Sequence, residues 1–156
     1  MNRLLLLFVL VVVMGSGVCA ETLCLSFDGE PYAVESKGGW TPSKPMRKST
    51  EDVVVKSGKL ATTCYLMRFR SLTESEAIVN LEGERAQAKI NPKEDVRKVH
   101  WAKSGSAYVW RTPYYALIYF QIDSRWFRCF ALFEQTEKAD LDAVITFLRG
   151  IQKCPP

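Results

Sequence analysis

"ALIYFQIDSRWFRCFALFE", residues 116–134, decides the fold. Its side chains alternate along two apolar runs that meet at a short polar break, the pattern of a β-hairpin. With Ser124-Arg125 as a two-residue turn, Ile122 pairs with Phe127, Phe120 with Cys129, Ile118 with Ala131 and Ala116 with Phe133. That face is wholly apolar and belongs to a core. The other face sets Asp123 against Trp126, Gln121 against Arg128, Tyr119 against Phe130, Leu117 against Leu132 and Tyr115 against Glu134. Two readings stay open for it: an exposed surface of aromatic and polar groups, as interfaces use, or a sheet face covered by a second layer.

The segment that follows supplies a cover for one face. Leu141, Val144, Ile145, Leu148 and Ile151 form a stripe at helical spacing. Acidic Glu137, Asp140 and Asp142 sit early and basic Arg149 and Lys153 sit late, as the helix dipole favours. Thr136 is the expected cap, and Pro155-Pro156 ends the helix.

Upstream, Thr22–Phe27 reads as a strand ended by Asp28-Gly29, and residues 36–52 as an exposed loop rich in Gly, Pro, Lys and Arg. Val53–Lys56 and Leu60–Phe69 read as strands around Ser57-Gly58. Thr73-Glu74-Ser75-Glu76 is a capping box opening a helix through Leu81, which Gly83 should stop. Arg85–Ile90 reads as a weak strand. Asn91-Pro92-Lys93-Glu94 carries a second set of helix-start signals, and Val96, Val99 and His100 share one helical face, which predicts a helix over 92–103. Ala107–Arg111 then begins the sheet that the hairpin continues. The expected fold is α+β: a mainly antiparallel sheet, a long C-terminal helix and one or two shorter helices.

The first twenty residues predict export. Asn2-Arg3 gives a positive start, Leu4 to Met14 is an apolar run, and Val18-Cys19-Ala20 offers small residues for cleavage after Ala20. The run is shorter than the roughly 20 residues that span a bilayer, so no membrane span is expected after cleavage. Residues 21–156 then form a single exported domain, periplasmic or, alternatively, secreted to the outside. The absence of an N-x-S/T sequon in it favours the periplasm. The whole chain has 21 basic and 17 acidic side chains, a net +4 that falls by one when Arg3 leaves with the leader. This mild excess carries no concentrated basic stripe, and a nucleic-acid partner is not expected.

Four cysteines remain: Cys24, Cys64, Cys129 and Cys154. Their wide spacing suits disulfides in an oxidising compartment better than a metal, so two bridges and no metal or cofactor are expected. Cys129–Cys154 would pin the helix to the hairpin, leaving Cys24–Cys64 by elimination.

No catalytic motif stands out. The one histidine, His100, reads as a packed or rim residue, and "SGSAY" is not a nucleophile elbow. Two surfaces are binding candidates besides the hairpin face with Tyr119 and Trp126. One is the basic loop around Trp40, with Lys44 and Arg47, where an exposed Trp would fill a partner's pocket or fold back over the core edge. The other is Ser104, Gly105 and Tyr108. Ser-Gly-x-x-Tyr resembles the loop by which some periplasmic lysozyme inhibitors plug the enzyme's cleft, over five positions. The plain reading there is a helix exit followed by a strand start. The expected role is non-enzymatic binding of another protein, an immunity or inhibitor protein neutralising a toxin or wall hydrolase. The alternatives are a small secreted hydrolase with dispersed carboxylates, or an accessory subunit of an envelope complex.

Overall fold

The computed structural model describes residues 22–37, 39–44, 52–89, 95–101 and 105–155. Among them the chain forms β1 (Thr22–Phe27), β2 (Glu30–Glu35), β3 (Trp40–Ser43), β4 (Asp52–Ser57), β5 (Thr62–Arg68), α1 (Glu74–Gln87), β6 (Arg97–Val99), β7 (Ala107–Arg111), β8 (Tyr115–Ile122), β9 (Arg125–Phe133), α2 (Leu141–Arg149) and β10 (Gln152–Lys153). The described strands make a seven-stranded sheet in the order β3-β4-β5-β9-β8-β7-β6 and a three-stranded sheet in the order β1-β2-β10. Every pairing is antiparallel. No described helix is long and apolar enough to cross a membrane.

The hairpin forms as β8 and β9, with its turn one residue earlier than expected. Asp123 and Ser124 both adopt left-handed φ, 49° and 64°, as a tight two-residue turn between twisted strands requires. Asp tolerates that region better than the Ser-Arg alternative, because its short side chain bonds locally. Phe120 therefore faces Phe127, and Ile118 faces Cys129. The pairing differs from the expected one by two positions, an even number, so every side chain keeps its predicted face. Asp28-Gly29 joins β1 to β2 by the same device, with φ of 50° and 78°.

Both faces of the large sheet are covered. On one, Ile118, Phe120, Phe127 and Cys129 are buried together with Leu23, Leu25 and Phe27 of β1, Tyr32 and Val34 of β2, and Val144, Ile145 and Leu148 of α2. The small sheet and α2 thus share a single side. On the other, Ala77 and Leu81 of α1 seal Tyr108, Trp110, Leu117, Tyr119 and Trp126. Over β7 and β8 a covering layer, not an exposed aromatic surface, is the outcome, while Tyr115 and Phe130 of the same face are half-buried.

The capping box forms as predicted: Thr73 N–H donates to Glu76 Oε2 at 2.7 Å, and Glu76 N–H donates to Thr73 Oγ1 at 3.3 Å. Gly83 does not stop α1, which runs on to Gln87 and replaces the start of the weak strand expected over 85–90. One interior Gly costs about 1 kcal/mol against Ala. Packing of Leu81, the Arg85–Glu82 pair at 2.7 Å and the Arg128–Glu84 contact at 3.6 Å offset it.

Three other expectations fail. The helix over 92–103 is replaced, in its described part, by strand β6, which pairs Lys98 with Tyr108 along β7. Val96 packs on the α1 side and Val99 on the α2 side, an alternation that a helix face does not make. The C-terminal helix is short, nine residues, because Asp140 caps it by accepting from Ala143 N–H at 2.9 Å. Thr136–Lys138 forms only a single 3-10 turn before it. Finally, neither expected bridge is formed among the described cysteines. Cys24 is exposed while Cys64 is buried in the core, and Cys154 lies beyond α2 on the small sheet while Cys129 sits at mid-sheet.

Candidate functional site

The predicted binding residues scatter. Trp40 is 2% exposed and stacks on Phe147 of α2, with centroids 4.5 Å apart. It folds back over the core edge, and the start of the expected loop is strand β3. Lys44 is exposed, whereas Arg47 lies outside the described residues. Tyr119 and Trp126 are each 3% exposed beneath α1, so neither presents a surface. Tyr108 is buried too: its hydroxyl donates to Glu74 Oε1 at 2.5 Å, and Lys98 Nζ lies 5.5 Å from its ring centroid. That bond to Glu74, with burial, pushes the Tyr108 phenol up; the same bond, with help from Ser106 and Lys98, holds the Glu74 carboxyl down. The group docks the first turn of α1 onto β7.

Ser104 lies outside the described residues, but Gly105 leads to a cleft. A cleft of about 320 Å³ opens where the β8–β9 turn meets the end of α2, lined by Trp101, Gly105, Gln121, Asp123, Arg149 and Lys153 among others. Its wall is built around Gln121. The Trp101 indole N–H donates to the Gln121 carbonyl at 2.8 Å. Ser106 N–H donates to Gln121 Oε1 at 2.9 Å, and Gln121 N–H to the Ser106 carbonyl at 3.2 Å. A Cβ on residue 105 would stand 3.0 Å from Trp101 Cδ1 and 3.3 Å from Gln121 Cβ. Any side chain here would press on the indole and force it to give by a few tenths of an ångström.

Arg149, exposed at the end of α2, lies across Trp101 with its guanidinium carbon 5.8 Å from the ring centroid. It also donates to the His100 carbonyl. A guanidinium fixed on an aromatic plane offers its remaining N–H edges in one orientation, the geometry that recognises carboxylates or phosphates. His100 itself is exposed and contributes its backbone carbonyl here.

Beside the cleft, Glu30 gathers three cations. Arg125 donates to its Oε2, Lys153 Nζ lies 3.0 Å from it, and Arg68 Nη1 lies 2.9 Å from it. The last is a charge contact without hydrogen-bond alignment, which leaves Nη1 without a bonded acceptor. Arg68 Nη2 bonds Asp28 Oδ2 at 2.7 Å. Hydrogen bonds from Arg125 and then Lys153 hold the Glu30 carboxyl down at about 2. This network ties β2 and β10 to β5 and β9 and fixes one wall of the cleft.

Sequence reasoning missed Trp101, Gln121, Arg149 and Lys153 as a group. Arg149 was legible only as a favourable charge at a helix end. The local signal was Gly105, whose need for a missing side chain becomes evident once Trp101 is placed against it. Among the described residues no three His, Cys, Asp or Glu side chains converge to hold a metal. No family model matches the chain, and no curated protein matches it either.

Proposed function

We propose that this protein is a non-enzymatic binding protein of an exported compartment, the periplasm first, which neutralises a toxin or cell-wall hydrolase by docking on it. The Arg149–Trp101 pair at the mouth of the cleft carries this reading. Wall glycosidases work with a pair of carboxylates in a groove, and a pre-oriented guanidinium complements such a group with little entropy to lose. The aromatic anchors expected from the sequence are spent in packing, so the contact shifts to the cleft rim.

The test is capture of a periplasmic extract on the immobilised protein, followed by reconstitution with the purified partner. A stoichiometric complex is expected in which the partner loses its lytic or toxic activity and which Arg149→Glu weakens at least tenfold. Equal binding by Arg149→Glu would place the contact elsewhere. Release of fragments from peptidoglycan by the protein alone would replace this reading with that of a small hydrolase.

A further inference from the structure

Cys64 and Cys129 meet in the middle of the large sheet. Cys64 stands opposite Ala131, and Leu66 stands opposite Cys129, so the cysteines are diagonal neighbours on the same core-facing side. Both are fully buried. The Cys129 thiol lies close enough to act, after burial, on the Cys64 thiol. Diagonal Cα atoms lie about 7–8 Å apart in a regular sheet, just beyond the usual 4.4–6.8 Å of a disulfide, and right-handed twist shortens one of the two diagonals. Both side chains leave the same face of paired neighbouring strands, so closing to a bond takes side-chain rotation and a small strand adjustment.

We propose that Cys64 and Cys129 are joined by a disulfide in the mature protein, a pairing between β5 and β9 that the spacing of cysteines along the chain does not suggest. It stands on this juxtaposition, independently of the cleft and of the partner proposed above. The oxidant is another disulfide, small or protein-borne. With glutathione disulfide, the Cys64 thiolate attacks one sulfur, forming a mixed disulfide and releasing one glutathione thiolate. The Cys129 thiolate then attacks Cys64 Sγ and releases the second. Two cysteine thiols lose two electrons and two protons, and one glutathione disulfide becomes two glutathione thiols. Burial pushes the Cys64 thiol up, so the folded, reduced protein is slow to react. The bond forms while β5 and β9 pair, before α2 and the small sheet close over them.

The experiment refolds the reduced, unfolded mature chain, residues 21–156, in a mixture of glutathione and its disulfide. The product is quenched in acid, unfolded, alkylated without reductant and digested with trypsin. The expected product is a cross-linked pair of peptides, residues 60–68 joined to 129–138, with Cys24 and Cys154 alkylated. The oxidised protein should also melt several degrees above the same protein in strong reductant, a gap that Cys64→Ala with Cys129→Ala abolishes. Alkylation of Cys64 and Cys129 in the refolded wild type would overturn the proposal, and so would finding either joined to Cys24 or Cys154. The peptide map decides even if the double variant does not fold.

Discussion

Removing the side chain of Tyr119 tests whether α1 closes the second face of the sheet. Tyr119 and Phe120 are neighbours on β8 that point to opposite sides. Phe120 is fully buried and stacks on Phe127 at 5.5 Å, and Tyr119, 3% exposed, stacks on Phe69 at 5.7 Å and 15°. Truncating a buried aromatic costs about 3–5 kcal/mol, the lost burial plus the cavity left behind. Both Phe120→Ala and Tyr119→Ala should therefore lose that amount. With a urea slope of about 1–3 kcal/mol per molar, each midpoint should fall by roughly 2 M with the slope unchanged. Leu81→Ala, on the covering helix, should cost about 2–5 kcal/mol. Combined with Tyr119→Ala it should cost less than the sum, because the two share one cavity. A loss under about 1 kcal/mol for Tyr119→Ala, beside the full loss for Phe120→Ala, would refute the seating of α1 on this face. That result would leave the Tyr119 face open and α1 unseated.

Two further outcomes follow from charge and capping. The Glu30 carboxyl ordinarily titrates at 4.5 and is held at about 2 in the fold, so its stabilisation is complete above the ordinary value and lost as the pH falls between the two. Glu30→Gln should flatten the decline of melting temperature across that window, and an unchanged acid limb would show that the network does not govern it. Thr73→Ala, which deletes a cap hydroxyl, should cost about 1 kcal/mol. It should also raise amide exchange first in the opening turn of α1, with Thr73→Ser restoring most of the protection.

Where a strand buries one alternating face or a helix one stripe, the sequence announced it. Thr22–Phe27, the two faces of β8 and β9, the box at Thr73 and the stripe from Leu141 to Leu148 appear as read, whereas Ile151, read into that stripe, lies beyond the helix. The misreadings share a cause, which is that the competing partner is remote in sequence. Val96 and Val99 satisfy a helical spacing as well as a strand, and the free edge of β7 selects the strand. β2 went unseen because Pro31 stands second in it, yet Pro31 pairs with Ser26 and supplies its carbonyl to Cys154 N–H, a role that needs no donor. The site was least legible. Trp40 reads as a surface anchor until Phe147 is placed over it, and Arg149 as a helix-end charge until Trp101 lies beneath it.

The three-stranded sheet imposes an order of assembly. β1 and β2 are synthesised first, but β10, which completes their sheet, follows α2 after most of the domain has been made. Leu23, Leu25, Phe27, Tyr32 and Val34 on the inner side of that early hairpin find their cover only when the large sheet and α2 arrive. A two-stranded hairpin alone is marginal in water, and contacts this distant along the chain form slowly. A chain emerging amino end first from the ribosome therefore carries an unfinished apolar hairpin until residues 152 and 153 appear. Closure waits for that final strand.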